Sequence, residues 1–346
     1  MQEIELLVLS KHLLFVFIIF VIPISIYSQS YPDSAIDGLM RSGIENLAKE
    51  KYSEAKNIFS KLDSEFPNLP LGPIYLAAAE IDEDYDLGNE FNYELINKYI
   101  TKAVSISEKL YSEDESNIWN NYFMALCYGY KAYFNAIKKN WIPAFTEGLN
   151  SKSYFEKCLN LNPKFYDAQI AVGAYLYWKS RKTEFLNWLP FMSNDEKVGI
   201  KLIDSAIHHY SYNNYLAINS LTWIYIDSHE YSKAKDIAEY GLTKSPNNRA
   251  FLWGLARAYE NINLNESIKI YQQVINSYIS IPNQNHFQEI ILKHILAQLY
   301  LKIGNKSEAL SICNNILSIT NLSDRIKGLL ASRLSRVKKM QFELTQ

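Results

Sequence analysis

Residues 43–67 have the sequence GIENLAKEKYSEAKNIFSKLDSEFP, which contains the clearest pattern of small and apolar residues in the chain. Two antiparallel helices can cross closely only where a side chain at the contact is small, because their separation of about 8–10 Å depends on the residues at the crossing. Gly43 and Ala55 place small residues on two successive helical segments, and Pro67 ends the second segment. The stretch therefore predicts a helical hairpin in which Gly43 faces Ala55.

The same pattern recurs further along the chain. Leu221 and Ala234 are 13 residues apart, and Leu296 and Ala309 repeat this step. The residues that accompany them at helical spacing are Phe59, Tyr225, Tyr231, Pro246, Ala297 and Tyr300. A further register runs through Phe155, Cys158, Pro163, Val172, Gly173 and Leu176. Hairpins that recur at a fixed period bury between them a face that none could bury alone, so the stack itself forms the core.

These offsets resemble those of the tetratricopeptide repeat (TPR), a helical hairpin of about 34 residues. The resemblance implies an all-α fold, a right-handed α-solenoid of stacked antiparallel helical hairpins. It also implies a non-enzymatic scaffold without a cofactor, whose concave face binds a protein or peptide partner. Residues 29–346 would form this repeat domain, with about seven helix pairs and a C-terminal capping helix.

Helical periodicity places the hairpins along most of the chain. The predicted pairs span residues 33–65, 71–111, 115–161, 164–209, 212–244, 247–279 and 284–319, with less certain boundaries between 73 and 150. A last helix near 322–343 would cap the stack, because a terminal unit must turn a polar face to water. Its basic residues, such as Arg325 and Arg333, lack the interleaved aromatic residues that stack nucleic-acid bases, and we interpret them as a solvated face.

Composition agrees with a helical array and argues against other classes. The chain has 346 residues, of which 48% are hydrophobic, and only 12 Gly and 10 Pro, so an all-β fold with many tight turns is not expected. The formal net charge of −2 provides no overall field that would favour nucleic acid. The three cysteines, Cys127, Cys158 and Cys313, fall in helical patterns without paired spacing, which predicts buried thiols rather than disulfides.

The first 28 residues form a separate segment with the character of a signal peptide. Residues 13–27 are apolar except for Pro23 and Ser25, and this run is shorter than the roughly 20 residues that a spanning helix needs. Ser28 is a small residue placed for cleavage before Gln29. We therefore expect export to the periplasm or the medium, with an uncleaved membrane anchor as the alternative.

An insertion interrupts the repeat between Gly173 and Gly199, where the chain is 14 residues longer than the pattern requires. The extra segment, near 182–193, contains Phe185, Trp188 and Phe191. Exposed aromatic side chains are unfavourable in water, so this segment either folds back on the array or contacts a partner or a membrane surface.

Catalytic and metal-binding patterns are weak. The sequence has no GxSxG, HExxH or phosphate-binding GxxxxGK[ST] motif. His208 and His209 follow Asp204 by one turn, but a metal site needs three or four converging ligands. Asp82, Asp84 and Asp86 alternate as in a calcium loop, yet Leu87 and Tyr93 occupy the places of the required Gly and Glu. We interpret these aspartates as a solvated acidic loop, and we expect no metal and no enzyme.

The resemblance to TPR proteins also implies a set of partner-binding residues in the concave groove. They lie at the ligand-facing positions of the first helix of three hairpins and are Asp167, Tyr177, Trp178, Asn219, Trp223, Arg249 and Tyr259. Polar groups would fix the register of an extended peptide, while aromatic or Arg anchors would carry most of its affinity. Two alternatives remain open: the tyrosines and tryptophans pack between hairpins, or the protein binds a small molecule or glycan instead of a peptide.

Amino-terminal sequencing of the protein recovered from its source cells tests the targeting prediction. Because the apolar run is short and ends at a small residue, we expect a mature chain that begins near Gln29 outside the cytoplasm. An intact leader that stays in a carbonate-resistant membrane fraction would instead establish an anchor.

Overall fold

The computed structural model describes residues 29–182 and 195–346, and these residues are helical and contain no strand. The predicted signal peptide and the insertion residues Phe185, Trp188 and Phe191 lie outside the described residues. Fifteen helices follow one another in the described ranges, and consecutive helices pack as antiparallel hairpins. The predicted fold class, an all-α solenoid of stacked hairpins, is thereby confirmed.

Turns of a few residues connect the two helices in every hairpin except the fourth, in which residues 183–194 of the connection lie outside the described residues. The first four hairpins are α1 (Ser34–Ala48) with α2 (Tyr52–Glu65), α3 (Leu71–Leu87) with α4 (Tyr93–Glu113), α5 (Ile118–Ile137) with α6 (Trp141–Leu161), and α7 (Tyr166–Lys182) with α8 (Glu196–Ile207). The next three are α9 (Asn214–Asp227) with α10 (Tyr231–Lys244), α11 (Arg249–Tyr259) with α12 (Leu264–Ile279), and α13 (Phe287–Lys302) with α14 (Lys306–Leu317). A single helix, α15 (Asp324–Thr345), follows them.

Small residues lie at the helix crossings, although one predicted contact differs in detail. A Cβ atom added to Gly43 would come within 2.3 Å of the Phe59 ring, so Gly43 faces Phe59 rather than Ala55, which is itself fully buried. At the α7–α8 crossing a Cβ atom on Gly173 would lie 2.7 Å from the carbonyl oxygen of Gly199. Here two backbones touch directly, and only glycine on both helices permits the contact.

The stack curves until its late hairpins meet its early ones. Helix α13 contacts α3, and Asn285 donates hydrogen bonds to the carbonyl oxygens of Leu87, at 3.0 Å, and Gly88, at 3.1 Å. Ser245 and Asn248 both donate to the carbonyl oxygen of Ala48, each at 2.9 Å. The solenoid therefore closes on itself. We call the side formed by the first helices of the hairpins the inner face.

The structure corrects one prediction and qualifies another. Asp82, Asp84 and Asp86 lie in the last turns of α3 rather than in a solvated loop. The basic face of α15 is only partly solvated, because Arg325 donates to the carbonyl oxygen of Gly88 and Arg333 contacts His294. The cysteine prediction is confirmed, since all three thiols are free and buried.

Within residues 29–182 and 195–346, every helix is too short or too polar to cross a bilayer.

Replacement of Ala234 by Leu tests the packing of the α9–α10 crossing. Ala234 is fully buried, so the larger side chain should overpack the contact and lower the free energy of unfolding by about 1–3 kcal/mol. The matched control is Ala331→Leu at an exposed position of α15, with an expected change within about 0.5 kcal/mol. Chemical denaturation measures both, and equal stability of the two variants would show that Ala234 is not at a tight crossing.

Candidate functional site

A buried charge cluster around Arg249 joins the sixth hairpin to the first two. The Arg249 guanidinium contacts Glu50 at 2.9 Å and forms two hydrogen bonds with Asp86. Tyr52 and Tyr278 donate their hydroxyl groups to the same Asp86 carboxylate at 2.9 and 2.7 Å. Arg249, proposed from the sequence as a ligand anchor, is therefore bound by residues of its own chain.

The electrostatics of this cluster follow from its burial. Burial raises the pKa of Glu50 to about 7, against the lowering effect of the nearby Arg249, and the Asp86 charge raises it further. Burial also opposes the charge on Arg249, but the hydrogen bond and the charge of Asp86 outweigh it, so the pKa of Arg249 is raised. Arg249 is thus held as a cation between two carboxyl groups.

Asp167, a second predicted groove residue, is also buried and fully engaged. Its carboxylate accepts hydrogen bonds from Gln29, at 2.6 Å, and from the Tyr122 hydroxyl, at 3.2 Å. Backbone amides of Tyr212 and Asn213 add two more, at 3.3 and 2.9 Å. Burial raises the pKa of Asp167 although these donors lower it. This side chain ties the start of the domain to the α8–α9 turn.

The remaining groove residues occupy different environments. Tyr177 is buried, and its hydroxyl donates to Asp227 at 2.7 Å, as expected for a residue packed between hairpins. Trp178 is 37% exposed, while Trp223 and Tyr259 are half-buried. Asn219 is half-buried, and its Oδ1 atom has no hydrogen-bond partner among the described residues. Partner binding by these four residues stays a prediction.

The inner face contains a cavity of about 410 Å³ that the sequence analysis did not foresee. It is lined mainly by the first helices of the second, third and fifth hairpins, α3, α5 and α9. The lining residues are Ala78, Ile81, Asp82, Tyr85, Ala125, Leu126, Gly129, Tyr130, Tyr133, Phe155, Tyr215 and Leu216. Small residues on α3 and α5 leave the space, and aromatic rings form much of its wall.

Asp82 is the one acidic residue in this lining. Its carboxylate has no hydrogen-bond or ion-pair partner in the part of the chain that the structure describes. Burial raises the pKa of Asp82 to about 7, and the charge of Asp86 adds to the effect. Burial likewise raises the pKa of Tyr133 to about 12. The tyrosine spacing in YGYKAYF, residues 128–134, is the sequence signal that could have located this cavity.

A second cavity, of about 560 Å³, lies at the seam between α1 and the hairpins from α8 to α11. Its cationic side chains already have partners in the chain: Arg41 pairs with Asp37 at 2.5 Å and stacks on Tyr210, and Lys244 donates to Asn214 at 3.0 Å. Because these groups are satisfied, the seam cavity is the weaker candidate site.

No cluster of three or more His, Cys, Asp or Glu side chains that could hold a metal ion occurs within 29–182 and 195–346.

Comparisons with known proteins agree with the fold. Residues 250–278, which lie in the α11–α12 hairpin, match a family model described as tetratricopeptide repeat. The crystal structure of the APC/C hetero-tetramer Cut9–Hcn1 is similar, with a TM-score of 0.52 and 14% identity over 89% of this chain and 52% of that one. This chain thus spans about half of that protein. No curated protein sequence matches the chain significantly.

Two further solved structures are also similar. PilW, a type IV pilus biogenesis factor, has a TM-score of 0.47 and 14% identity over 68% of this chain and 92% of its own. PilF of Pseudomonas aeruginosa has a TM-score of 0.42 and 14% identity over 76% of this chain and 97% of its own. The fold is that of a TPR-type helical array, as the matched repeat model and the Cut9–Hcn1 structure indicate.

Replacement of Arg249 by Met tests the charge cluster that closes the solenoid. The change leaves the buried Glu50 and Asp86 without their cation, which should cost about 3–5 kcal/mol of folding free energy. Lys269→Met is the control in the same hairpin, because the side chains of Lys269 and its partner Glu266 are 66% and 40% exposed and their pair is expected to contribute less than about 1 kcal/mol. Similar denaturation midpoints for the two variants would contradict a structural role for the cluster.

Proposed function

We propose that this protein is a non-enzymatic, exported scaffold that binds a segment of a partner protein on its inner face. The observation that carries the proposal is the aromatic cavity, which three first helices of a TPR-type array build together. First helices form the ligand surface of stacked hairpins, and aromatic side chains at such a surface are the usual energetic anchors.

Closure of the solenoid limits the kind of segment that fits. Asp167 and Arg249 are occupied by internal contacts, so the continuous groove expected from the sequence is shortened. The remaining candidate surface consists of the cavity and the partly exposed Trp178, Asn219, Trp223 and Tyr259. We therefore favour a short segment that inserts one or two side chains over a long extended peptide. In this proposal the 182–193 insertion also takes part in the contact with the partner.

A small molecule is the second candidate ligand. A volume of about 410 Å³ lies within the range of about 300–1,000 Å³ typical of small-molecule sites, and the wall is largely apolar. A free ligand would therefore use the same cavity. Native mass spectrometry of the purified domain distinguishes this candidate, because it detects a bound compound without a protein partner.

Site-specific photocrosslinking in the source cells tests the protein-binding proposal. Benzoylphenylalanine would replace Tyr133 or Leu216, two exposed residues of the cavity wall on different helices. We expect both positions to crosslink the same partner protein, because one bound segment would contact both walls. Phe342, which is 64% exposed on α15, is the control position.

Identification of the adducts by mass spectrometry decides the outcome. A shared partner at the two cavity positions that is absent from the control supports the proposal. Absence of adducts at both cavity positions, or identical adducts at Phe342, would refute binding of a protein segment on the inner face.

A further inference from the structure

The carboxylate of Asp82 is placed where an isolated negative charge is unfavourable. It is mostly buried and faces a cavity whose wall is largely apolar. An ionised group in such surroundings costs free energy unless a counter-charge or hydrogen-bond donors compensate it. Among the described residues, Asp82 has neither a counter-charge nor a hydrogen-bond donor, so its negative charge is not compensated.

Two cations near this end of α3 pair with other carboxylates. Arg249 binds Glu50 and Asp86, as described above. Lys56 contacts Glu80 at 3.1 Å and Glu83 at 2.5 Å. Neither residue lines the cavity, so neither neutralises Asp82 from inside it.

Tyrosine rings surround the same space. Tyr85 on α3, Tyr130 and Tyr133 on α5, and Tyr215 on α9 all line the cavity with Asp82. The negative face of an aromatic ring attracts a cation, and the attraction grows when the cation leaves water. Ala78 and Gly129 keep part of the wall free of large side chains and leave room for a ligand.

We propose that this cavity binds an alkylammonium group, with Asp82 as its counter-charge and the four tyrosines as an aromatic wall. The ammonium group belongs either to a free amine or quaternary ammonium compound or to a lysine side chain of the partner segment. If the group is a lysine side chain of a partner, the inference rests on the proposed function. If it is a free compound, the inference is independent of that function. An anionic ligand is disfavoured, because Asp82 would repel it.

Isothermal titration calorimetry with matched probes tests the charge requirement. The probes are choline and 3,3-dimethyl-1-butanol, which has nearly the same shape without the charge. The titration is run at about pH 8.5, where a carboxyl group with a pKa of about 7 is ionised. We expect choline to bind the full domain and the neutral alcohol to bind at least about tenfold more weakly.

Variants assign the binding to this cavity. Asp82→Asn preserves the shape of the side chain and removes its charge, so choline affinity should fall at least about tenfold. Asp84→Asn, on the same helix but outside the cavity lining, should leave it unchanged. Tyr133→Leu removes one ring from an exposed part of the wall and should weaken binding about threefold. Tyr133→Leu keeps the test decisive if Asp82→Asn does not fold.

Two results would overturn the inference. One is equal affinity of choline for wild type and for Asp82→Asn or Tyr133→Leu. The other is equal binding of choline and the neutral alcohol.

Titration with Nα-acetyl-lysine methylamide and its trimethylated form separates the two sources of the ammonium group. Loss of ammonium binding with intact crosslinking at Tyr133 would refute only this inference, while the reverse would refute only the protein-binding function.

Discussion

The contact of Arg249 with Glu50 and Asp86 is the constraint on which the rest of this architecture depends. It joins Arg249 to residues 163 and 199 positions away in the sequence and converts a stack of neighbours into a closed body. A buried ion pair adds little net stability compared with an apolar contact of the same shape, but an unmatched charge at the seam is strongly unfavourable. The cluster therefore specifies which surfaces meet, while the apolar hairpin contacts provide most of the driving force.

Closure also determines what the inner face can offer to a ligand. An open array presents a long curved surface, whereas here the polar positions at 167 and 249 face residues of the same chain. The free surface contracts to a cavity between three first helices. Among the described residues, Asp82 is the one carboxylate in this cavity and has no partner, because the nearby Arg249 is already bound to Glu50 and Asp86. The Arg249 cluster and the cavity therefore both use α3. Asp86 of this helix belongs to the cluster, and Asp82 lines the cavity.

The sequence could predict the hairpins because their determinants are local. Gly173 and Gly199 follow the repeat spacing, and the structure brings their backbones together. In the sixth hairpin Ser267 lies one repeat after Ala234, and its buried hydroxyl donates to the carbonyl oxygen of Ala256 at 2.8 Å. Contacts between distant hairpins produce no periodic pattern in the sequence, so the sequence does not predict them. The alternation of aspartates predicts a solvated acidic loop, whereas Asp82 lies in a helix and lines the cavity.

Closure has a consequence for how the chain folds. In an open repeat array each unit contacts only its neighbours, so folding can start anywhere and the ends can fray independently. Here Arg325 of α15 contacts Gly88 across 237 residues, and Asn248 contacts Ala48 across 200. Such contacts raise the mean sequence separation of the native interactions, which slows folding. They also couple the two ends, so this array loses the independence of its units and unfolds with the cooperativity of a globular domain.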